Sequence, residues 1–147
     1  MILTSSEDTE RFGAGLAASL RAGDVLALEG DIGAGKTTLV RGIARGLGFT
    51  GEVTSPTFPI VQSYEGEGIR LPLWHVDLYR VETMSEIAEL GLEEALDEAV
   101  LVIEWPDRLG NALWPDALRL KLEIGEGGSR ALTAQVPAAW ETRWPPR

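Results

Sequence analysis

Eight consecutive residues, Gly30-Asp31-Ile32-Gly33-Ala34-Gly35-Lys36-Thr37, fit the spacing G-x-x-x-x-G-K-[ST] at every fixed position. Glycines let a backbone bend until successive N–H groups point inward at one place. That concavity suits phosphate oxygens, and a helix starting at its end adds partial positive charge. Lys36 would reach the β- and γ-phosphates of a nucleotide, and the Thr37 hydroxyl would ligate Mg²⁺. Charge-assisted hydrogen bonds of this kind contribute about 1.5–3 kcal/mol each. The loop works only between a strand and a helix, and both are present. Val25-Leu26-Ala27-Leu28 is the apolar run of a strand buried on both faces. Residues 37–47 read as an amphipathic helix that Gly48 ends. The bland reading is a glycine-rich turn with no ligand. Against it, Lys36 is one of only two lysines among 13 basic residues.

The rest of the chain supports the architecture that such a loop needs. Ser6 reads as a helix N-cap, with Glu7 and Asp8 in the first turn and Phe12, Leu16 and Leu20 at helical spacing. Strands are predicted at 60–64, 71–76 and 99–103, and a helix over 84–99 interrupted near Gly91. Leu118-Arg119-Leu120-Lys121-Leu122-Glu123-Ile124 alternates with period two, and 131–136 returns as its hairpin partner. Strands alternating with helices predict an α/β fold in three layers, of the P-loop NTPase type. Its central sheet is mostly parallel, with antiparallel edge strands from the C-terminal hairpin. The 147 residues make one domain, 1–147, and the Pro- and Trp-rich tail 137–147 is expected at the periphery.

Two acids stand where buried strands end beside the phosphate loop. Asp77 follows Leu73-Trp74-His75-Val76, and Glu104 follows Val100-Leu101-Val102-Ile103. Ligand sites in open α/β sheets lie at such carboxyl ends, and phosphoryl transfer needs a carboxylate to hold Mg²⁺ or its waters. One would hold the metal and the other orient the attacking water; the pattern does not divide the roles. The bland reading of either is a strand-end helix cap. Thr57, in the Pro-flanked loop 53–59, is placed to sense a γ-phosphate as switch loops do, or is an ordinary turn hydroxyl. His75, the single histidine, reads as structural. Arg80 reads as a nucleotide or partner contact or a helix-start ion pair, and Trp105 as packing in the site or at the surface.

Charge and composition then exclude several classes. The net charge is −10, and seven acids with no Lys or Arg fall within residues 81–103. Tight direct binding to nucleic acid needs cations that displace counterions, and no basic tract is available. The acidic stretch is a solvated face or a docking surface for a basic partner. With no cysteine, disulfides, thiolate metal sites and thiol nucleophiles are excluded, which fits a cytoplasmic location. No apolar stretch approaches the roughly 20 residues of a bilayer span, and no signal peptide is expected.

Taken in order, Gly30-Asp31-Ile32-Gly33-Ala34-Gly35-Lys36-Thr37-Thr38, Ser55-Pro56-Thr57-Phe58, His75-Val76-Asp77-Leu78-Tyr79-Arg80 and Glu104-Trp105-Pro106 closely resemble the bacterial TsaE (YjeE) family over roughly residues 6–136. The resemblance implies an ATPase that binds ATP with Mg²⁺ and hydrolyses it slowly in the tRNA threonylcarbamoyladenosine pathway. It implies action on the TsaB–TsaD complex, resetting it between turnovers, so that tRNA is met only through the complex. It further implies nucleotide contacts from Asp31, Ile32, Gly33, Ala34, Gly35, Lys36, Thr37, Thr38 and Thr57, and a base-side contact from the segment holding Ser6 and Thr9. Thr37 and Glu104 would ligate Mg²⁺, while Lys36, Asp77 and Glu104 would serve hydrolysis. The chain is expected to be monomeric alone and to have no membrane partner. Phe58-Pro59 departs from the pattern by a second proline.

Two other functions fit a phosphate loop. A small-molecule kinase would need an acceptor pocket and an Arg-rich lid, whereas the stretch after the second candidate strand is acidic. A nucleotide-dependent binding module would need neither Asp77 nor Glu104.

Overall fold

The computed structural model describes residues 1–31, 33–54 and 60–146. Ile32, the segment 55–59 with Thr57, and Arg147 lie outside the described residues. Among the described residues seven strands and four α-helices follow one another as β1 (Ile2–Leu3), α1 (Ser6–Ala17), β2 (Val25–Glu29), α2 (Lys36–Gly46), β3 (Val61–Tyr64), β4 (Leu73–Asp77), α3 (Met84–Ala88), α4 (Leu92–Ala95), β5 (Val100–Glu104), β6 (Leu118–Ile124) and β7 (Arg130–Gln135). They form one sheet of order β1-β7-β6-β2-β5-β4-β3. The pairs β6–β2, β2–β5 and β5–β4 are parallel. The antiparallel pairs β3–β4 and β7–β6 flank that centre, and β1 adds to β7 at the edge.

The expected fold class is the observed one, with differences of detail. Within the C-terminal hairpin, β7 is the antiparallel member and β6 extends the parallel set. The outermost strand is β1, whose two residues carry no periodicity to read. The cap of α1 is Ser5 rather than Ser6: its Oγ accepts from the Asp8 N–H at 3.1 Å.

Side-chain alternation along the strands builds two cores, one on each sheet face. Leu26, Leu28, Val100 and Val102 pack with Leu16, Leu39 and Ile43 of α1 and α2. Val25, Ala27, Leu101 and Ile103 pack with Ile87, Leu92 and Leu109 on the other side. On the first face α1 and α2 approach closely. A Cβ on Gly42 would lie 2.1 Å from the Glu10 carbonyl oxygen, so only glycine fits there. Gly42 faces Glu10, and Gly46 faces Ala14 and Ala17. The two helices therefore run in the same direction, and the start of α1 lies on the side of the phosphate loop.

The tail, expected at the periphery, contributes to the core. Trp140 is 1% exposed, with the Arg143 guanidinium 3.7 Å above its ring. Arg143 binds Asp24 in a bidentate pair at 2.7 and 3.1 Å. With Arg70 it also caps the C-terminal carbonyls of α1: Arg143 donates to Ser19, Arg70 to Leu20 and Ala17. The helix carries no basic residue in its own last turn, so distant arginines complement its dipole. Among the described residues no helix is long and apolar enough to cross a membrane.

Candidate functional site

The loop after β2 turns through an Ala34 N–H to Asp31 carbonyl bond of 3.0 Å and enters α2 at Gly35. Gly35 is left-handed, with φ +103°, a conformation that favours glycine. It has no side chain to cap α2, whose positive end faces the cavity. Lys36 is the first helical residue, and its ammonium reaches the Glu104 carboxylate at the end of β5.

Strand parity assembles the rest. On β4, His75 and Asp77 lie on the face of Leu73, and on β5, Glu104 lies on the face of Val100 and Val102. That is the face covered by α2. Asp77 and Glu104 are direct neighbours in the parallel register. The Leu78 N–H donates to the Glu104 carbonyl at 3.2 Å and ties the two strand ends together.

Glu104 is clamped from two sides. One oxygen lies 3.3 Å from the Lys36 ammonium, and the other accepts from His75 Nε2 at 2.6 Å. The Lys36 and Glu104 side chains are 9% and 6% exposed, and His75 is fully buried. Since a carboxylate only accepts, Nε2 carries the proton; among the described residues Nδ1 of His75 has no hydrogen-bond partner. Burial alone would raise the Glu104 carboxyl. The His75 hydrogen bond, with the charges of His75 and Lys36, outweighs it and holds the group below its ordinary 4.5. Asp77 moves the other way. Burial pushes it above 3.8, helped by the Glu104 charge and opposed by the Tyr79 N–H, which donates to it at 2.9 Å, and by His75 and Lys36. Two adjacent carboxyls thus have their affinities for a proton driven apart.

These groups open into a cavity of about 840 Å³. It brings together Asp31, Gly33, Gly35, Lys36, Thr37, Thr38, Asp77 and Glu104 of the expected residues. Ala34, within the loop, is buried and does not line the cavity. Ser6 and Thr9 stand on α1 and do not line this cavity; the Thr9 hydroxyl donates to the Ser5 carbonyl. Ile32 and Thr57 lie outside the described residues. Arg80 is exposed at the cavity wall.

Two features go beyond the expected site residues. Of the two places expected for Trp105, it takes the site: its ring lies 4.8 Å from that of Tyr79, tilted by 47°, at the mouth, and the Lys36 ammonium lies 5.4 Å from the Trp105 ring. Trp105 has φ +59°, a strained conformation for a bulky residue, imposed just where β5 ends. Arg130, from the far hairpin, also lines the cavity. Nothing local in the sequence marks it.

Among the described residues no three His, Asp or Glu side chains are grouped to cage a metal ion. One hydroxyl, Thr37, and one carboxylate, Glu104, fit an ion that keeps its waters and takes further ligands from a phosphate, as Mg²⁺ does.

The family model described as "Threonylcarbamoyl adenosine biosynthesis protein TsaE" matches residues 3–132. The chain is similar to proteins named tRNA threonylcarbamoyladenosine biosynthesis protein TsaE. That of Streptomyces coelicolor is 45% identical over 113 residues, 76% of each chain. That of Bacillus subtilis is 41% identical over 128 residues, 86% of this chain and 78% of the relative. The crystal structure of YdiB from Bacillus subtilis superposes with a TM-score of 0.80 at 33% identity, covering 97% of this chain and 88% of that one.

Proposed function

The chain belongs to the TsaE family of tRNA threonylcarbamoyladenosine biosynthesis proteins, and on that premise we propose that it is a Mg-dependent ATPase acting on the TsaB–TsaD complex in the cytoplasm. The observation that carries the reading is the buried Lys36–Glu104 contact under a phosphate loop, beside Asp77 in one cavity. An ammonium held dry at the start of a helix has little structural use and suits a polyanion.

The loop amides and the start of α2 would hold the β- and γ-phosphates, with Lys36 leaving Glu104 to bridge them. Thr37 and Glu104 would ligate Mg²⁺, which when bound neutralises phosphate charge. His75 keeps the Glu104 carboxylate in one orientation. Asp77, with its raised proton affinity, would orient water for attack on the γ-phosphorus and take up its proton, ADP being the leaving group. No arginine besides Arg80 and Arg130 reaches the cavity among the described residues, and Arg130 is already committed to main-chain carbonyls. An arginine finger is worth about 10³–10⁵ in rate, so the isolated chain turns over slowly. The TsaB–TsaD complex raises the rate, and the nucleotide state governs the association. The net charge of −10 suits work on tRNA through a partner rather than directly.

Single-turnover hydrolysis of γ-labelled ATP, with and without saturating TsaB–TsaD, tests this. The expected outcome is label released as phosphate, slowly alone and faster with the complex. Lys36→Ala abolishes both the release and the ATP-dependent retention of the chain by TsaB–TsaD. Label transferred to a metabolite would instead identify a kinase, and a rate indifferent to the complex would remove the partner from the mechanism.

A further inference from the structure

Arg130 is the first residue of β7, at the end of the sheet where the phosphate loop also lies. Among the described residues its guanidinium makes four hydrogen bonds, all to main-chain carbonyls. Nε donates to Ala34 and Nη2 to Gly33, each at 3.0 Å. Nη1 donates to Gly128 and Ser129, again at 3.0 Å. One side of the fork therefore grips the phosphate loop and the other grips the turn between β6 and β7. Among the described residues no carboxylate pairs with it, so its charge stays unneutralised beside the cavity.

A loop that turns its N–H groups toward a phosphate must turn carbonyls elsewhere. Two consecutive carbonyls, those of Gly33 and Ala34, point at Arg130. Their parallel dipoles repel each other and draw water, and Gly33 and Gly35 with φ +85° and +103° leave the loop many other conformations. A planar cation donating to both carbonyls at once removes that freedom. The fork geometry is particular to arginine; an ammonium offers a point charge without it.

We propose that Arg130 is a positioning residue for nucleotide binding: it braces the Gly33 and Ala34 carbonyls so that the loop amides stay aimed at the phosphates. The inference rests on the nucleotide reading given above and adds to it a residue from outside the loop and strand-end motifs.

The test is calorimetric titration of the whole chain, and of its Arg130→Ala and Arg130→Lys variants, with MgADP, together with steady-state ATP hydrolysis and unfolding without nucleotide. Arg130→Ala raises the Kd by about tenfold or more. The larger part of its loss in kcat/KM falls in KM, and the unfolding temperature changes little. Arg130→Lys recovers little of the affinity although it keeps the charge. An alanine variant that binds within twofold of the parent overturns the proposal. So does a lysine variant with parental affinity, since charge alone would then suffice, or a loss confined to kcat. If the alanine variant does not fold, the lysine variant decides by the same criterion. A parent chain that fails to bind MgADP would remove the nucleotide reading itself, whereas a binding parent with an indifferent variant removes only the role of Arg130.

Discussion

Neutralising Glu104 and neutralising Asp77 should shift the stability of the nucleotide-free chain in opposite directions. Glu104→Gln keeps the size of the side chain and an acceptor for His75, but presents an amide to Lys36 at 3.3 Å. Lys36, 9% exposed at its side chain, loses its counter-charge. Removing one partner of a buried pair costs about 3–5 kcal/mol. The cavity beside Lys36 lets the ammonium swing toward water, so the lower end applies, about 3 kcal/mol. For a chain of this size that lowers the melting temperature by about 6–12 °C. Asp77→Asn retains the acceptor for the Tyr79 N–H and removes a carboxylate that burial and Glu104 disfavour. It should raise the melting temperature while lowering hydrolysis, a trade common at functional sites. The pH dependence has matching signs. Glu104 has a folded value below 4.5, so its contribution is full above 4.5 and disappears as pH falls through that folded value. Asp77 has a folded value above 3.8, so its penalty is full at neutral pH and is relieved as pH falls through the folded value toward 3.8. Thermal unfolding in a phosphate-free buffer, from neutral pH downward, reads both. A Glu104→Gln variant that melts with the parent at neutral pH, or two variants that shift the same way, would refute the reasoning.

Two further substitutions test the scaffold. Gly42→Ala brings a Cβ to 2.1 Å from the Glu10 carbonyl. Overpacking of about 1–3 kcal/mol exceeds the roughly 1 kcal/mol gained in helix propensity, so calorimetry should show a lower melting temperature, and an unchanged one would show that α1 slides freely on α2. Trp140→Ala empties a core site from the tail, with an expected loss of about 3–5 kcal/mol in denaturant unfolding. A loss under 1 kcal/mol would mean that the tail is peripheral to stability after all.

What the sequence made legible depended on how local the cause was. The runs 25–28 and 99–103 are apolar because both faces of a parallel strand are covered, and period two then puts His75, Asp77 and Glu104 on the α2 side. The phosphate loop is legible for the same reason: its glycines, lysine and threonine act within one turn. Ser5 and Ser6 are both competent caps with acids just after them, and the bond from the Asp8 N–H goes to Ser5. Trp140 and Arg143 sit in a stretch whose prolines read as irregular, and only the packing against α1 and Asp24 shows the tail holding the core closed. Arg130 is 96 residues from Ala34, and its partners are backbone carbonyls. No residue pattern encodes a carbonyl as a partner. The aromatic residues Tyr79 and Trp105 were visible as composition, but their ring contact forms at the strained turn that ends β5.

The clamp on Glu104 also sets how binding must depend on the metal. The Lys36 ammonium lies 3.3 Å from one Glu104 oxygen. A nucleotide that draws Lys36 onto its phosphates leaves that carboxylate facing further negative charge in a poorly hydrated pocket, with only His75 to compensate. Bare ADP should therefore bind weakly, and Mg²⁺ should restore affinity by putting positive charge back beside the carboxylate. In Glu104→Gln the uncompensated charge is absent, so bare ADP should bind better than it does to the parent, and Mg²⁺ should add less. Titrations with ADP in chelator and in excess Mg²⁺, on both chains, give the two ratios. The parental ratio should exceed the variant ratio by about tenfold, one elementary charge at a few ångströms being worth over 1 kcal/mol in this environment. Equal ratios would mean that Lys36 does not leave Glu104 when the nucleotide arrives, and the exchange of partners at the centre of the site would have to be abandoned.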